Sequence, residues 1–415
     1  MPADLVTPPP ASRPWPAAPE RSGGRDGMAG EAASPEQWTA FKRRYLAPDG
    51  RVIDTGHGGL SHSEGQSYGL LFAVHFDDPE SFALIWDWTR RLLQRPRDGL
   101  FSWKYEPRSA LPVPDANNAT DGDLVMAWAL LRAARRWGGA RHAEEAAQIA
   151  RAVLAHCTTE FLGRRILLPG ARGFHKGDRI VANPSYFSFA ALRALSRLVP
   201  DAAWAGLEAG GLDILRACRF GRWNLPPDWC EIRQDGTVLP APGWPPRFSW
   251  DALRIPLHLG WAGLREEPLL AAARFFQDPG HPVHPPAWAD LAQDTISPYP
   301  GHAGVQAVAQ LAARGLPGAA PPTRRFRVAE APDYYGASLI LLCAIAAMEP
   351  PEPPPEIPAL PAAPPRQTPV ARLVTGLRAL FRLGRGPAGR EGPETLPAAP
   401  PENPLGRRGS GPGGR

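Results

Sequence analysis

Cysteine is scarce in this chain: four among 415 residues, at 157, 218, 230 and 343. No Cys-x-x-Cys pair occurs, which excludes the paired-cysteine motifs of redox and zinc sites. Cys157, Cys218 and Cys343 fall in apolar helical patterns, where buried thiols are expected. Long apolar runs are missing as well. The longest, Leu339 to Met348, is too short to span a bilayer. The opening residues, Met-Pro-Ala-Asp-Leu-Val-Thr-Pro-Pro-Pro, carry no apolar stretch of a signal peptide. An excess of one charge is absent from the body. Of the formal net charge of +5, four units come from residues 351–415, with nine Arg against five Glu. Elsewhere Arg alternates with Asp and Glu without a basic stripe, which argues against a nucleic-acid partner. Alternation of strand and helix is lacking too, and that excludes a doubly wound sheet.

What the chain does have is helical periodicity between two Pro-rich ends. Residues 1–35 and 350–415 read as disordered. Within the second end, 370–383 has apolar residues at helical spacing with Arg between them. That stretch predicts a short basic amphipathic helix, able to touch an acidic partner or an anionic membrane surface. Between the ends, 36–349 forms one domain. Helices are predicted over 36–45, 64–76, 79–94, 119–137, 141–157, 184–198, 202–217, 250–262, 265–276, 301–314 and 333–347. Asp78-Pro79-Glu80 reads as a helix start with Pro in the first position. Arg165-Ile-Leu-Leu-Pro and Arg325-Phe-Arg-Val are the best strand candidates. The pattern is that of a large all-α domain. Two long loops, 97–118 and 219–249, hold Trp103, Trp223, Trp229 and Trp244, whose indole faces suit the apolar faces of pyranose rings. Trp86, Trp88, Trp128 and Trp137 lie within helices and are expected to pack.

Three acidic places stand out. Glu64 lies in Ser-His-Ser-Glu-Gly-Gln-Ser-Tyr-Gly-Leu, residues 61–70, at a loop-to-helix junction. Asp121 and Asp123 lie in Asn-Asn-Ala-Thr-Asp-Gly-Asp, residues 117–123, and Asp251 lies in Phe-Ser-Trp-Asp-Ala-Leu-Arg. A few acids flanked by aromatic or small polar residues suit a sugar-cleaving site, where one carboxyl protonates the leaving oxygen and another activates water. Each also has a plainer reading. Glu64 can serve a helix dipole, and Asp121, Asp123 and Asp251 can serve as helix caps. No His or further carboxylate accompanies Asp-x-Asp at ligand spacing, so no metal is expected.

Ser63-Glu64-Gly65-Gln66-Ser67-Tyr68-Gly69 and Ala119-Thr120-Asp121-Gly122-Asp123 resemble, in this order, the two signature segments of glycoside hydrolase family 8. Asn183-Pro-Ser-Tyr186-Phe and Trp250-Asp-Ala-Leu-Arg254 also resemble segments of that family. The resemblance runs from about Trp38 to about Met348. It is greatest to the branch encoded beside bacterial cellulose synthase. It implies an (α/α)6 barrel of helical hairpins and an inverting, endo-acting cleavage of β-1,4-glucan without a cofactor. It further implies Glu64 as the proton donor, Asp121 facing the reacting sugar, and Asp251 as the base, with Arg254 keeping it ionised. Asp123 is left to helix support. Substrate contacts are expected from Gln66, Tyr68, Trp103, Asn183, Tyr186, Trp250, Arg254, Tyr334 and Tyr335. The family offers no role for His57 and His62. Cellulose leads as substrate, beside cellulose synthase machinery, with chitosan, xylan and mixed-linkage glucan as alternatives. The resemblance also implies export, to the periplasm or outside. An inactive glycan-binding scaffold and a helical lyase are the competing classes.

Overall fold

The computed structural model describes residues 33–319 and 324–355. The amphipathic stretch expected at 370–383 and most of both Pro-rich ends lie outside the described residues. Eleven α-helices dominate the described part: α1 (Pro35–Tyr45), α2 (Ser63–His75), α3 (Pro79–Leu93), α4 (Thr120–Trp137), α5 (Ala140–His156), α6 (Phe189–Leu198), α7 (Ala202–Ala217), α8 (Arg254–Trp261), α9 (Glu267–Gln277), α10 (Ala303–Ala313) and α11 (Tyr334–Met348). None is long and apolar enough to cross a membrane.

Six helices close a ring. α2 packs on α4, α4 on α6, α6 on α8, α8 on α10 and α11, and α11 returns to α2. The others lie outside it: α1 on α11, α3 on α2, α5 on α4, α7 on α6 and α9 on α8. Burial follows that division. In α2, 11 of 13 residues are buried, and in α8 seven of eight. In α5 only five of 17 are, and they fall on one stripe: Ala146, Ala147, Ile149, Ala150 and Val153. A helix surrounded on all sides must be apolar or small throughout, whereas an outer helix needs one apolar face. The architecture is the (α/α)6 barrel, whose large fully buried side chains include Trp88, Trp204, Phe72 and Phe189. All four cysteines are buried free thiols.

Several helix starts are set by local chemistry. Asp78 caps α3 by accepting from Ser81 N, with Pro79 at the first position; Asp201 and Asp333 do the same for α7 and α11. Two starts fall later than the periodicity predicts. Residues Pro184–Tyr186 form a separate 3-10 turn, capped by Asn183, before α6 begins at Phe189. Residues Trp250–Leu253 form a turn, and α8 begins only at Arg254. In both places a side chain accepts from backbone N–H groups of the turn: Asn183 from Ser185 N, and Asp228 from Ser249 N and Ala252 N.

The strands are short and antiparallel. β1 (Ser61–His62) pairs with β2 (Lys104–Tyr105), and β3 (Thr158–Phe161) with β4 (Arg164–Leu167). β5 (Arg179–Ala182), β6 (Cys230–Arg233) and β7 (Val238–Pro240) form one three-stranded sheet. β8 (Arg247–Phe248), β9 (Ala289–Asp290) and β10 (Thr295–Ile296) form another, in the order β10-β9-β8. The strand expected at Arg165 is β4. The one expected at Arg325–Val328 is absent. Arg327 N and Val328 N donate to the side chains of Glu330 and Gln37, and a 3-10 turn follows over Val328–Glu330. Order also runs past the expected boundary near 350. Arg193 Nη1 donates to Glu352 O at 3.0 Å, and the Glu352 carboxylate pairs with Arg197 and Arg135.

Candidate active site

The N-terminal ends of α2, α4, α8 and α11 meet at one mouth of the ring. Glu64 and Asp121 stand in the first turns of α2 and α4, Arg254 opens α8, and Tyr334 and Tyr335 open α11. Helix N-termini carry partial positive charge, which favours carboxylates placed there. The close meeting of α2 and α4 depends on Gly122. A Cβ at that position would stand 2.5 Å from Ser63 Oγ and 2.9 Å from Glu64 N. The Asp-Gly pair of the second segment is therefore one device: the carboxyl faces the mouth and the glycine admits the neighbouring helix end.

Arg254 is the centre of the cluster. Its guanidinium is buried, with the side chain 3% exposed, and binds three carboxylates at once. Nη1 donates to Glu64 Oε2, to Asp121 Oδ2 at 2.9 Å and, weakly, to Tyr68 OH at 3.4 Å. Nη2 donates to Asp251 Oδ1 at 2.5 Å and to Ser185 Oγ at 3.0 Å. Tyr334 OH lies 3.4 Å from Glu64 Oε1. Such charge-assisted bonds hold each carboxylate in a defined place. Burial works against the Arg254 charge, yet Tyr68, Glu64, Asp121 and Asp251 raise its pKa well above the ordinary value. Burial pushes Asp121 up to about 6. Arg254 opposes that rise, while the charges of Glu64 and Asp251 add to it.

Around this core sit groups that position it. Burial pushes Asp123 up to about 8, although it accepts from Phe101 N at 3.0 Å and from Asn118 Nδ2 at 2.7 Å. It thereby fastens the start of α4 to the loop after α3. Behind Glu64, Asp54 accepts from His57 Nδ1 at 2.7 Å and His62 Nε2 at 3.0 Å. Burial would raise Asp54, but these two histidines hold it down to about 2. Burial would lower His62, but Asp54, Glu64 and Asp121 raise it.

The aromatic residues divide. Trp229 stacks between Trp244 (4.9 Å between centroids, 18°) and Phe174 (5.9 Å, 15°), and its Nε1 donates to Asp251 Oδ2 at 3.1 Å. Tyr186 meets Trp229 edge-on and lies under the Arg254 guanidinium. Trp250 is 56% exposed, stacks against His302 and meets Tyr335 edge-on; Tyr335 OH donates to Trp250 O. Trp103 is at the mouth through its backbone, whose carbonyl accepts from Ser63 N at 3.0 Å, while its indole Nε1 donates to Asp115. Trp223 is elsewhere, packed on Phe275 and His281.

Two of the expected substrate contacts turn out to be internal. Gln66 is fully buried: Oε1 accepts from Val52 N at 2.6 Å, and Nε2 donates to Gly50 O and Thr89 Oγ1. Both amide hydrogens are engaged, so Gln66 braces the α2 start rather than meeting a ligand. Asn183 is 1% exposed and accepts from Ser185 N and Ser185 Oγ, through which it supports Arg254. Ser185 and Asp228 are the parts that sequence reasoning passed over. Asp228 lies within the long loop 219–249, next to Trp229, and that adjacency was the available signal.

Comparison with known proteins agrees with this geometry. The family model described as glycosyl hydrolases family 8 matches residues 28–348, and the chain belongs to that family. A protein named probable endoglucanase from Novacetimonas hansenii is 42% identical over 316 residues, covering 76% of this chain and 91% of the relative. An endoglucanase from Cellulomonas uda is 39% identical over 274 residues, covering 66% and 76% of the two chains. The solved structure of endo-β-1,4-glucanase CMCax from Acetobacter xylinum superposes with a TM-score of 0.71 at 41% identity, covering 76% of this chain and 97% of that one.

Proposed function

We propose that this protein is an endoglucanase that hydrolyses internal β-1,4 bonds of a glucan chain, with cellulose as its leading substrate. The observation that carries the reading is the set of three carboxylates, Glu64, Asp121 and Asp251, held by one buried guanidinium at the mouth of a family 8 barrel. In this reading Glu64 protonates the leaving glycosidic oxygen, Asp251 takes a proton from the attacking water, and Asp121 faces the reacting sugar. Arg254 holds the Asp251 carboxylate in place, Nη2 donating to Oδ1. It also spaces Asp251 from Glu64 by the width of a guanidinium with a hydrogen bond at each end. That spacing supports an inverting displacement, in which a water must fit between base and sugar. The exposed faces of Trp244 and Trp250 support a groove for a sugar chain.

Association with cellulose synthesis and action outside the cytoplasm both rest on the family resemblance. The deciding experiment is release of reducing ends from carboxymethyl cellulose, with chitosan, xylan and mixed-linkage glucan as alternative substrates. Glu64→Gln should lose nearly all turnover while still binding cello-oligosaccharides, because an amide keeps the shape but cannot donate the proton. A purified E64Q enzyme with most of the wild-type rate would refute the acid assignment.

A further inference from the structure

The mouth of the barrel contains a fourth carboxyl, Asp228, that the reaction as described does not use. We propose that Asp228 and Trp229 form a positioning clamp that aims the Asp251 carboxylate at the water it activates. The inference rests on the reading of Asp251 as the base. Asp251 does not lie on a helix; it lies in the turn over Trp250–Leu253 that precedes α8. Something must fix that turn. Asp228 Oδ1 accepts from Ser249 N at 3.0 Å and from Ala252 N at 2.8 Å, and Oδ2 accepts from Ser249 Oγ. The backbone N–H of Asp228 donates to Arg247 O at 2.7 Å. One carboxyl thus holds both sides of the turn that carries Asp251.

The next residue acts on the carboxylate itself. Trp229 Nε1 donates to Asp251 Oδ2 at 3.1 Å, while Arg254 Nη2 holds Oδ1 at 2.5 Å. Both oxygens are restrained, each from a different element. Trp229 is itself fixed by its neighbours, stacked between Trp244 and Phe174. A carboxyl is a costly choice for position 228. Burial, and then the charge of Asp251, push it up to about 7. Packing alone does not call for it, whereas its acceptor bonds to one turn do.

The test is the split between kcat and KM on a soluble cello-oligosaccharide, for wild type, D228A, D228N, S249A, W229F and D251N. D228A should lower kcat about ten- to a hundredfold, the scale of an approximately 1 Å misplacement of a catalytic group, with KM changed by less than about twofold. D228N, whose amide oxygen can still accept from both backbone N–H groups, should recover most of that loss. W229F should lower kcat by removing the indole donor. D228A with wild-type kcat, or with its loss confined to KM, overturns the clamp. If D228A does not fold, S249A and W229F both at full kcat overturn it instead. A D251N enzyme that turns over normally overturns the base assignment and the clamp with it. An inactive D251N beside a fully active D228A overturns the clamp alone.

Discussion

Gly122→Ala adds one methyl group at the tightest contact of the site. In most helices that change is favourable, since Ala is better than Gly by about 1 kcal/mol. Here the new Cβ would stand 2.5 Å from Ser63 Oγ, 2.9 Å from Ser63 C and 2.9 Å from Glu64 N. Ordinary contacts between such atoms are about 3.5 Å or more, so α2 and α4 must part by roughly half an ångström. Two of the three atoms belong to the backbone, so no side-chain rotation relieves the clash. Overpacking of this kind costs about 1–3 kcal/mol, which exceeds the propensity gain. The same displacement moves Glu64 relative to Asp121, and rate is steeply sensitive to such shifts. Gly260 provides the control. It lies in α8, and its Cβ would meet only Leu311 side-chain atoms, the nearest at 3.7 Å. Urea unfolding and reducing-sugar release should therefore separate the two variants. G122A should be less stable by up to about 2 kcal/mol and slower by roughly tenfold or more. G260A should be neutral or slightly more stable, with wild-type turnover. A G122A protein as stable and as active as wild type would refute the claim that this close approach builds the site.

Asp251→Asn should be nearly inactive on soluble glucan, and NMR of the first wild-type product should show the α-anomer; an initial β-anomer would remove the base role. Stability should peak in mildly acidic solution, as followed by urea unfolding across pH. Asp121, Asp228 and Asp123 have folded pKa values raised from 3.8 to about 6, 7 and 8. Each holds a proton in the folded chain that the unfolded chain has released, so stability falls as pH rises from about 4 toward 8. Asp54 and Glu349 are held down to about 2 despite burial, the latter by Arg132 and His75, so their contribution is lost as pH falls from about 4 toward 2. A protein whose stability rises steadily from pH 5 to 8 would contradict the buried acids.

The helical nature of the chain was legible because outer helices such as α5 carry their buried residues at a 3.6-residue period, while inner helices such as α2 read as stretches of apolar or small residues too long for a strand. Nine helices begin and end within two residues of the expected positions. The carboxylates Glu64, Asp121 and Asp251 were legible for a different reason. Each sits in a short segment whose small and aromatic neighbours have to meet at a crowded site, and such segments are distinctive as strings. Residues with internal partners were harder. Gln66 and Asn183 share their segments with the site but turn to the backbone of Val52 and to Ser185. A string of letters does not tell which way a side chain turns.

The sequence by itself determined an all-α domain, its Pro-rich ends and the short segments that carry Glu64, Asp121 and Asp251, because period, composition and short motifs are local properties. Tertiary structure decided the rest. That one guanidinium, Arg254, binds acids from three separate segments depends on the ring closing. That Trp229 rather than Trp223 reaches Asp251 depends on the path of a long loop, which has no period to read. The fourth carboxyl, Asp228, is an ordinary Asp in the sequence, and its importance comes from a turn 21 to 24 residues away that folding brings within 3 Å of it.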